Sequence, residues 1–321
     1  MARYLITGIA GFIGSTLARA LVEQGDEVRG IDNLCTGNLE NLAGLRDRID
    51  FRQMDLQDAA GMRSACEGVE YVLHQAALAS VPRSVKDPLT SHQSNINGTL
   101  NLLLAARDAR VRRIVYAASS SAYGDQPTQP KQEEMSPLPL SPYAVQKLAC
   151  EYYIQAFYRT YGLEGICLRY FNIFGPRQAY DSPYSGVIAR FTTAMMAGET
   201  PTIFGDGLTS RDFNYVDNAV SANLLACQAP STVATGRVFN IGTGESHTLN
   251  EVYAAIAGQL GFTGKPIYGF PRAGDIRHSL ADISRAGKEL GYQPKADFHE
   301  GLRKTVAWYL AENEKKPSAA L

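Results

Sequence analysis

Arg3-Tyr-Leu-Ile-Thr7 runs straight into Gly8-Ile9-Ala10-Gly11-Phe12-Ile13-Gly14, and this GxxGxxG series opens Ser15-Thr-Leu-Ala-Arg-Ala-Leu-Val-Glu23. A β-branched and aromatic run, then glycines, then an amphipathic stretch predicts a strand, a tight turn and a helix. The glycines have separable jobs. The first permits the turn, the second lets backbone N–H groups approach a pyrophosphate, and the third lets helix and strand pack closely. Asp32 closes the next apolar run, 18 residues beyond Gly14, where a carboxylate accepts from a ribose 2'-OH and repels a 2'-phosphate. NAD is favoured over NADP. Without that context the glycines would be only a turn.

Outward from this unit, short apolar runs at 3–7, 27–31, 50–54, 70–74, 113–118 and 165–171 alternate with longer amphipathic stretches. Six strands separated by helices imply a parallel sheet with right-handed crossovers and helices on both faces. The expected fold is α/β, a doubly wound parallel (Rossmann) sheet with a smaller, mixed α/β substrate-binding domain. Residues 1–171 are expected to form the dinucleotide-binding domain, with a later segment at about 212–230 returning to it. Residues 172–314, where Pro- and Gly-rich loops break the rhythm, form the second domain, and 315–321 a frayed tail.

Composition narrows the function classes. With 31 Lys+Arg against 32 Asp+Glu the formal charge is -1, so nothing global attracts nucleic acid or an anionic membrane. No apolar run has the length of a signal-peptide core or a membrane span, which favours a cytoplasmic protein. Cys35, Cys66, Cys150, Cys167 and Cys227 are odd in number and far apart. They read as reduced thiols, and no metal site is expected.

The chemistry is expected at the carboxyl edge of the sheet. Asp55-Leu56 ends the third strand and His74-Gln75-Ala76-Ala77 the fourth. Small residues there suit close cofactor contact, although alanines are also ordinary core, and His74 is assigned no chemistry. Tyr143-Ala-Val-Gln-Lys147 falls on a predicted helix, where i, i+4 spacing puts phenol and ammonium on one face. A phenol near pKa 10 is too weakly acidic to serve as a base at neutral pH, and a neighbouring cation would favour phenolate. The fifth strand runs into Ser119-Ser120-Ser121, hydroxyls able to bridge the tyrosine oxygen and a substrate hydroxyl, or simply a polar turn.

Taken in order, GxxGxxG, Asp32, the serine run and YxxxK resemble the extended short-chain dehydrogenase/reductase family over essentially the whole chain. Leu168-Arg-Tyr-Phe-Asn172, Arg211-Asp-Phe-Asn-Tyr-Val216, Phe239-Asn-Ile-Gly-Thr-Gly244 and Gly274-Asp-Ile-Arg-His-Ser-Leu-Ala-Asp282 look like its nucleotide-sugar branch, particularly the UDP-hexose 4-epimerases. The resemblance implies an NAD shell of Gly8, Gly11, Phe12, Ile13, Gly14, Asp32 and Asn33. It adds Asp55, Leu56, Gln75, Ala76, Ala77 and Ala79, then Asn95, Phe171, Tyr143 and Lys147. Catalysis would fall to Ser119, Tyr143 and Lys147. A UDP-sugar would be held by Ser119, Ser120, Ser121, Tyr143, Asn172, Val187, Phe204 and Ser279, with Arg211 and Arg272 on the phosphates and Asp275 on the uridine ribose. Guanidinium is also the preferred bidentate partner of a diphosphate on physical grounds.

Within that branch, 4,6-dehydratases carry Asp-Glu directly after a catalytic Thr. Ser120 and Ser121 stand there instead, so elimination lacks its acid and base and reversible oxidation at C4 is the simpler chemistry. A UDP-glucose 4-epimerase without N-acetyl activity, uronate epimerase and decarboxylase readings stay open, as does a non-catalytic NAD sensor, although sensors of this fold usually lose the tyrosine or lysine. Ser279 aligns where epimerases restricted to plain hexoses carry a bulky tyrosine, and the segment 77–88 resembles the UDP-N-acetylhexosamine branch. Both UDP-GlcNAc/UDP-GalNAc and UDP-Glc/UDP-Gal are therefore expected as substrates. Helices near 97–109 and 144–161 resemble those that pair in a homodimer of the family, or are apolar for internal packing.

Overall fold

Alternation decides the sheet. In the first strand Tyr4 and Ile6 face one hydrophobic core while Leu5 faces another, as the two-residue period of an extended chain requires. The computed structural model describes residues 1–179, 186–271 and 276–315. Its strands are β1 (Arg3–Thr7), β2 (Glu27–Asp32), β3 (Asp50–Gln53), β4 (Tyr71–His74), β5 (Arg113–Ser119), β6 (Glu164–Tyr170) and β7 (Ile173–Phe174). They continue with β8 (Thr202–Phe204), β9 (Ser210–Arg211), β10 (Asn214–Tyr215), β11 (Thr235–Ile241), β12 (His247–Thr248), β13 (Ile267–Gly269) and β14 (His278–Ser279). The helices are α1 (Phe12–Glu23), α2 (Ala59–Cys66), α3 (Val81–Lys86), α4 (Pro88–His92), α5 (Gly98–Asp108) and α6 (Pro142–Tyr161). After them come α7 (Val187–Met196), α8 (Val216–Gln228), α9 (Leu249–Leu260), α10 (Ser284–Leu290) and α11 (Phe298–Lys315).

Seven strands form one parallel sheet in the order β11-β6-β5-β4-β1-β2-β3. Helices α1, α8 and α10 pack on one face, and α2, α5 and α6 on the other. Because β1 lies between β2 and β4, the direction of winding reverses there and opens a crevice at the carboxyl edge. The seventh strand lies outside both the six expected runs and the returning segment expected at 212–230. Arg113, fully buried, forks onto Glu164 and caps the end of α8 through the carbonyls of Ala226 and Cys227 at 2.7 and 2.8 Å.

A third core gathers α7, α9 and α11 around Phe174, Phe213 and Tyr215. Beside it β9 pairs antiparallel with β12 and parallel with β14, and β8 pairs with β13. Four of the five thiols are buried and all are free; Cys35 is exposed. Among the described residues no helix is long and apolar enough to cross a membrane, and no cluster of three His, Cys, Asp or Glu is placed to hold a metal. Arg272 and Asp275 lie outside the described residues, as does the expected tail beyond Lys315.

Candidate active site

The glycine turn at the end of β1 is built so that no side chain intrudes. Gly8 sits at φ +70, and a Cβ there would lie 2.8 Å from the Ala76 Cα; at Gly14 it would lie 2.1 Å from the Gly8 carbonyl oxygen. Gly8, Gly11, Ala76 and Ala77 line a crevice with Asp32, Asn33, Asp55, Leu56 and Gln75. Gly14 is buried beneath the turn and sets its spacing. The Asp32 carboxylate accepts from the Ala10 amide at 3.0 Å and the Leu34 amide at 2.8 Å, fixing the glycine turn to the end of β2. Burial raises its pKa, and these two amides pull it back. Asn33 donates to Asp55 at 2.6 Å across the far end of the crevice. A bare backbone turn at the amino end of α1 and a carboxylate at the far end of β2 fit a dinucleotide carrying a free ribose hydroxyl.

From the crevice a cleft of about 460 Å3 continues past Phe12, Ile13, Ala79 and the serine run to Tyr143 and Lys147. Helix α6 presents both catalytic candidates because its start is fully capped: Ser141 accepts from the Ala144 amide, Pro142 needs no partner, and the Tyr143 amide donates to the Ser84 hydroxyl at 3.1 Å. Lys147 donates to the Ala117 carbonyl at 2.7 Å and lies 4.8 Å over the Tyr116 ring. Burial pulls its ammonium down to about 8, with Cys150 and Glu151 pulling it back up. Burial pushes the Tyr143 phenol up to about 12, while its hydrogen bond with Ser119 opposes the rise. Desolvation is the larger of these two influences on the phenol, and the Lys147 ammonium is at the same time engaged by a backbone carbonyl. Ser121 donates to the Ser119 hydroxyl at 2.8 Å, leaving the Ser119 proton to point elsewhere.

His74, to which the sequence assigns no chemistry, is hydrogen-bonded through both ring nitrogens. Thr99 donates to the Asn95 carbonyl at 2.5 Å, so its hydroxyl must accept from His74 Nε2 at 2.9 Å, and Nδ1 then accepts from Thr7 at 2.7 Å. The hydrogen-bond pattern assigns the neutral Nε2–H tautomer, and burial holds the ring down to about 3.

At the substrate end Asn172, Arg211, Ser120, Ser121 and Ser279 line the same cleft. Arg211 and Asn172 also line an adjoining cavity of about 190 Å3 with Val187 and Phe204. Arg211 therefore stands at the junction, where a diphosphate between sugar and nucleoside would lie. β14 pairs with β9 so that Ser279 is in register with Arg211.

Two expected members of the cofactor shell sit elsewhere. Asn95, in a single π-helical turn between α4 and α5, is buried; it accepts from the Leu78 amide and donates to Gln146 of α6, each at 2.8 Å, so it braces the loop after β4 against the catalytic helix. Phe171 is fully buried against Tyr123 and Ala281. Sequence reasoning also missed several residues. Asn223 of α8 donates to Tyr170 at 2.6 Å and accepts from Gln75 at 3.1 Å, closing a ring between crevice and cleft. Glu151 takes a two-pronged bond from Arg169 beneath Lys147. Glu151 stands four residues beyond Lys147 on the same helix face, a signal present in the sequence; Asn223 left none.

The family model described as the NAD dependent epimerase/dehydratase family matches residues 4–242. A UDP-glucose 4-epimerase from Mycolicibacterium smegmatis is 40% identical over 314 residues, 96% of this chain and 98% of that protein. The solved structure of a UDP-N-acetylglucosamine 4-epimerase from Methanobrevibacter ruminantium, in complex with UDP-N-acetylmuramic acid, aligns with a TM-score of 0.92 at 40% identity, over 97% of this chain and 99% of that one. A UDP-glucuronate 4-epimerase from Thermodesulfobacterium geofontis is 33% identical over 319 residues, 96% of each. With its glycine turn, its Asp32 crevice and its tyrosine–lysine helix in one continuous cleft, this chain belongs to the NAD dependent epimerase/dehydratase family.

Proposed function

We propose that the protein interconverts UDP-hexoses at C4, taking the UDP-GlcNAc/UDP-GalNAc pair and also UDP-Glc/UDP-Gal, with NAD retained between turnovers. Membership of the family and 40% identity to two UDP-sugar 4-epimerases support the coarser part, NAD-dependent 4-epimerisation of a UDP-sugar. The observation that carries it is the cleft itself: a phenol hydrogen-bonded to Ser119, floored by serines where a dehydratase needs two carboxylates, with Arg211 lining the same cleft.

NAD, when bound, takes up and returns the hydride at C4. With the positive charge of Lys147 and that of a bound nicotinamide beside it, Tyr143 would act as phenolate, taking the O4 proton and later giving it back, so that it ends each turnover as it began. Lys147 holds positive charge one helical turn from the phenol, and Ser119 shares the hydrogen bond with the sugar oxygen. Arg211 and Asn172 anchor the diphosphate, which leaves the hexose free to present its other face after oxidation. A ketone at C4 reduced from the opposite side inverts the centre.

Substrate choice follows from the cleft wall. Lys131 lines the cleft, but its ammonium is spent on the carbonyls of Gln126 and Thr128. Besides Lys131, the cations lining it among the described residues are Lys147, which bonds the Ala117 carbonyl beside the phenol, and Arg211, assigned to the diphosphate. Among the described residues a C6 carboxylate thus finds no cation left unassigned, which favours neutral hexoses over uronates, while the small Ser279 leaves room for an acetamido group. The test is to incubate purified protein, without added NAD, with UDP-GlcNAc, UDP-Glc and UDP-glucuronate and to separate the products. Epimers of the first two are expected; turnover of the uronate alone would replace this reading with uronate epimerisation.

Two copies are proposed to pair through α6, which exposes Val145, Tyr152 and Tyr153, beside the exposed Val85 of α3 and Leu89 of α4. Light scattering at micromolar concentration should give a dimer mass, and Tyr152→Glu should shift it toward the monomer.

A further inference from the structure

The wall that carries Ser279 is held from two sides. On one side β9 grips it: the Ser210 amide donates to the Arg277 carbonyl at 3.0 Å, and the Asp212 amide to the Ser279 carbonyl at 2.8 Å. On the other lies the loop that leaves the catalytic serines. There the Gln129 side chain spans the wall strand, donating from Nε2 to the His278 carbonyl at 2.8 Å and accepting at Oε1 from the Leu280 amide at 3.1 Å. Those two partners flank Ser279. Next along the loop, the Lys131 amide donates to the Leu280 carbonyl at 2.7 Å, and the Asp282 amide donates to the Lys131 carbonyl at 2.9 Å.

We infer that Gln129 is a specificity-positioning residue, which acts through the backbone of His278 and Leu280 to fix how far the Ser279 wall stands from the serine floor. This rests on the reading of Ser279 as the residue facing C2 of the sugar. A two-residue strand gripped along one edge is marginal, and a primary amide offers the donor and the acceptor that a neighbouring strand would supply. The strap begins at the reaction centre: Gln126 donates to the Tyr123 and Ser136 carbonyls, each at 2.9 Å, and Lys131 donates back to the Gln126 carbonyl. Floor and wall are thereby one hydrogen-bonded unit, and cleft width at the sugar depends on a side chain that does not line the cleft.

Gln129→Met keeps the side-chain length and removes both bonds, and it is tested alone and with Ser279→Tyr. Hydrogen exchange of the peptide covering 277–282 is expected to speed up in Gln129→Met while peptides of α6 stay unchanged. Ser279→Tyr is expected to lower the ratio of kcat/KM for UDP-GlcNAc over UDP-Glc by at least about tenfold. Adding Gln129→Met should restore that ratio at least about threefold, because the freed wall yields to the tyrosine. Unchanged exchange, or a ratio that stays at the Ser279→Tyr value, overturns the strap. If Ser279→Tyr leaves the ratio alone while exchange still rises, the Ser279 reading has failed, and the specificity role of Gln129 fails with it.

Discussion

The backbone amide of Tyr143 donates to the side-chain hydroxyl of Ser84, 59 residues earlier in the chain, at 3.1 Å. Ser84 is fully buried and passes its own proton to the Val81 carbonyl at 2.8 Å. The first turn of the catalytic helix is thus anchored to α3 as well as to its own N-cap. Ser84→Ala removes the acceptor and leaves the Tyr143 amide an orphan, a loss of about 1–2 kcal/mol. Thermal unfolding should register that loss, and kcat should fall several-fold with KM for UDP-sugar little changed. An unaltered kcat would show that the amide finds water without moving the phenol.

Tyr143→Phe deletes the hydroxyl and little else. Loss of a positioned acid/base commonly costs on the order of 10² to 10⁴ in rate. The variant should bind UDP-sugar by calorimetry yet turn over at least about a hundredfold more slowly.

The pH dependence of stability follows from two buried groups, measured on protein freed of cofactor. Lys147 is held at about 8 in the folded chain against 10.5 unfolded, so between those values the unfolded state binds more protons and stability rises with pH. Tyr143 is held at about 12 against 10.0, so the folded state keeps the extra proton and stability falls as pH climbs through that window. Urea unfolding across pH should show Lys147→Met losing the rise between about 8 and 10.5, and Tyr143→Phe losing the fall above about 10.

Cofactor retention is the fourth expectation. Wild-type protein purified without added NAD should release about one NAD per chain on denaturation, in keeping with a cofactor regenerated each turnover. Gly14→Ala drives a methyl into the Gly8 carbonyl, a backbone atom that cannot step aside, at a cost of at least about 2 kcal/mol. Its released NAD should fall below half the wild-type amount. Asp32→Ala should behave similarly rather than simply swap cofactors, because it also frees the Ala10 and Leu34 amides.

What the sequence made legible was chemistry whose partners lie near one another along the chain. The glycine turn with Asp32 and the Tyr143–Lys147 pair are such cases, since one turn or one helical period brings their groups together. Residues that act across the fold left no mark. Gln129 reaches the wall strand about 150 residues later, and β11 finds β6 only once α7 and α8 have been built between them. Asn95 and Phe171 show a different limit: a motif places a residue in a neighbourhood, but burial and hydrogen bonding decide which way its side chain turns. Lys147 shows a third, because helical spacing puts its ammonium near the phenol while the Ala117 carbonyl claims it.

The return of β11 to β6 also bears on how this protein can be cut. A fragment ending at Tyr170 would present the whole of β6, seven residues long, as an open edge of amides and carbonyls ready to template aggregation. The missing complement is carried by residues 235–241, which pair along it in parallel. The amino-terminal part should therefore be insoluble when expressed alone and rescued when the remainder is co-expressed in the same cell, a behaviour of split reporters rather than of beads on a string.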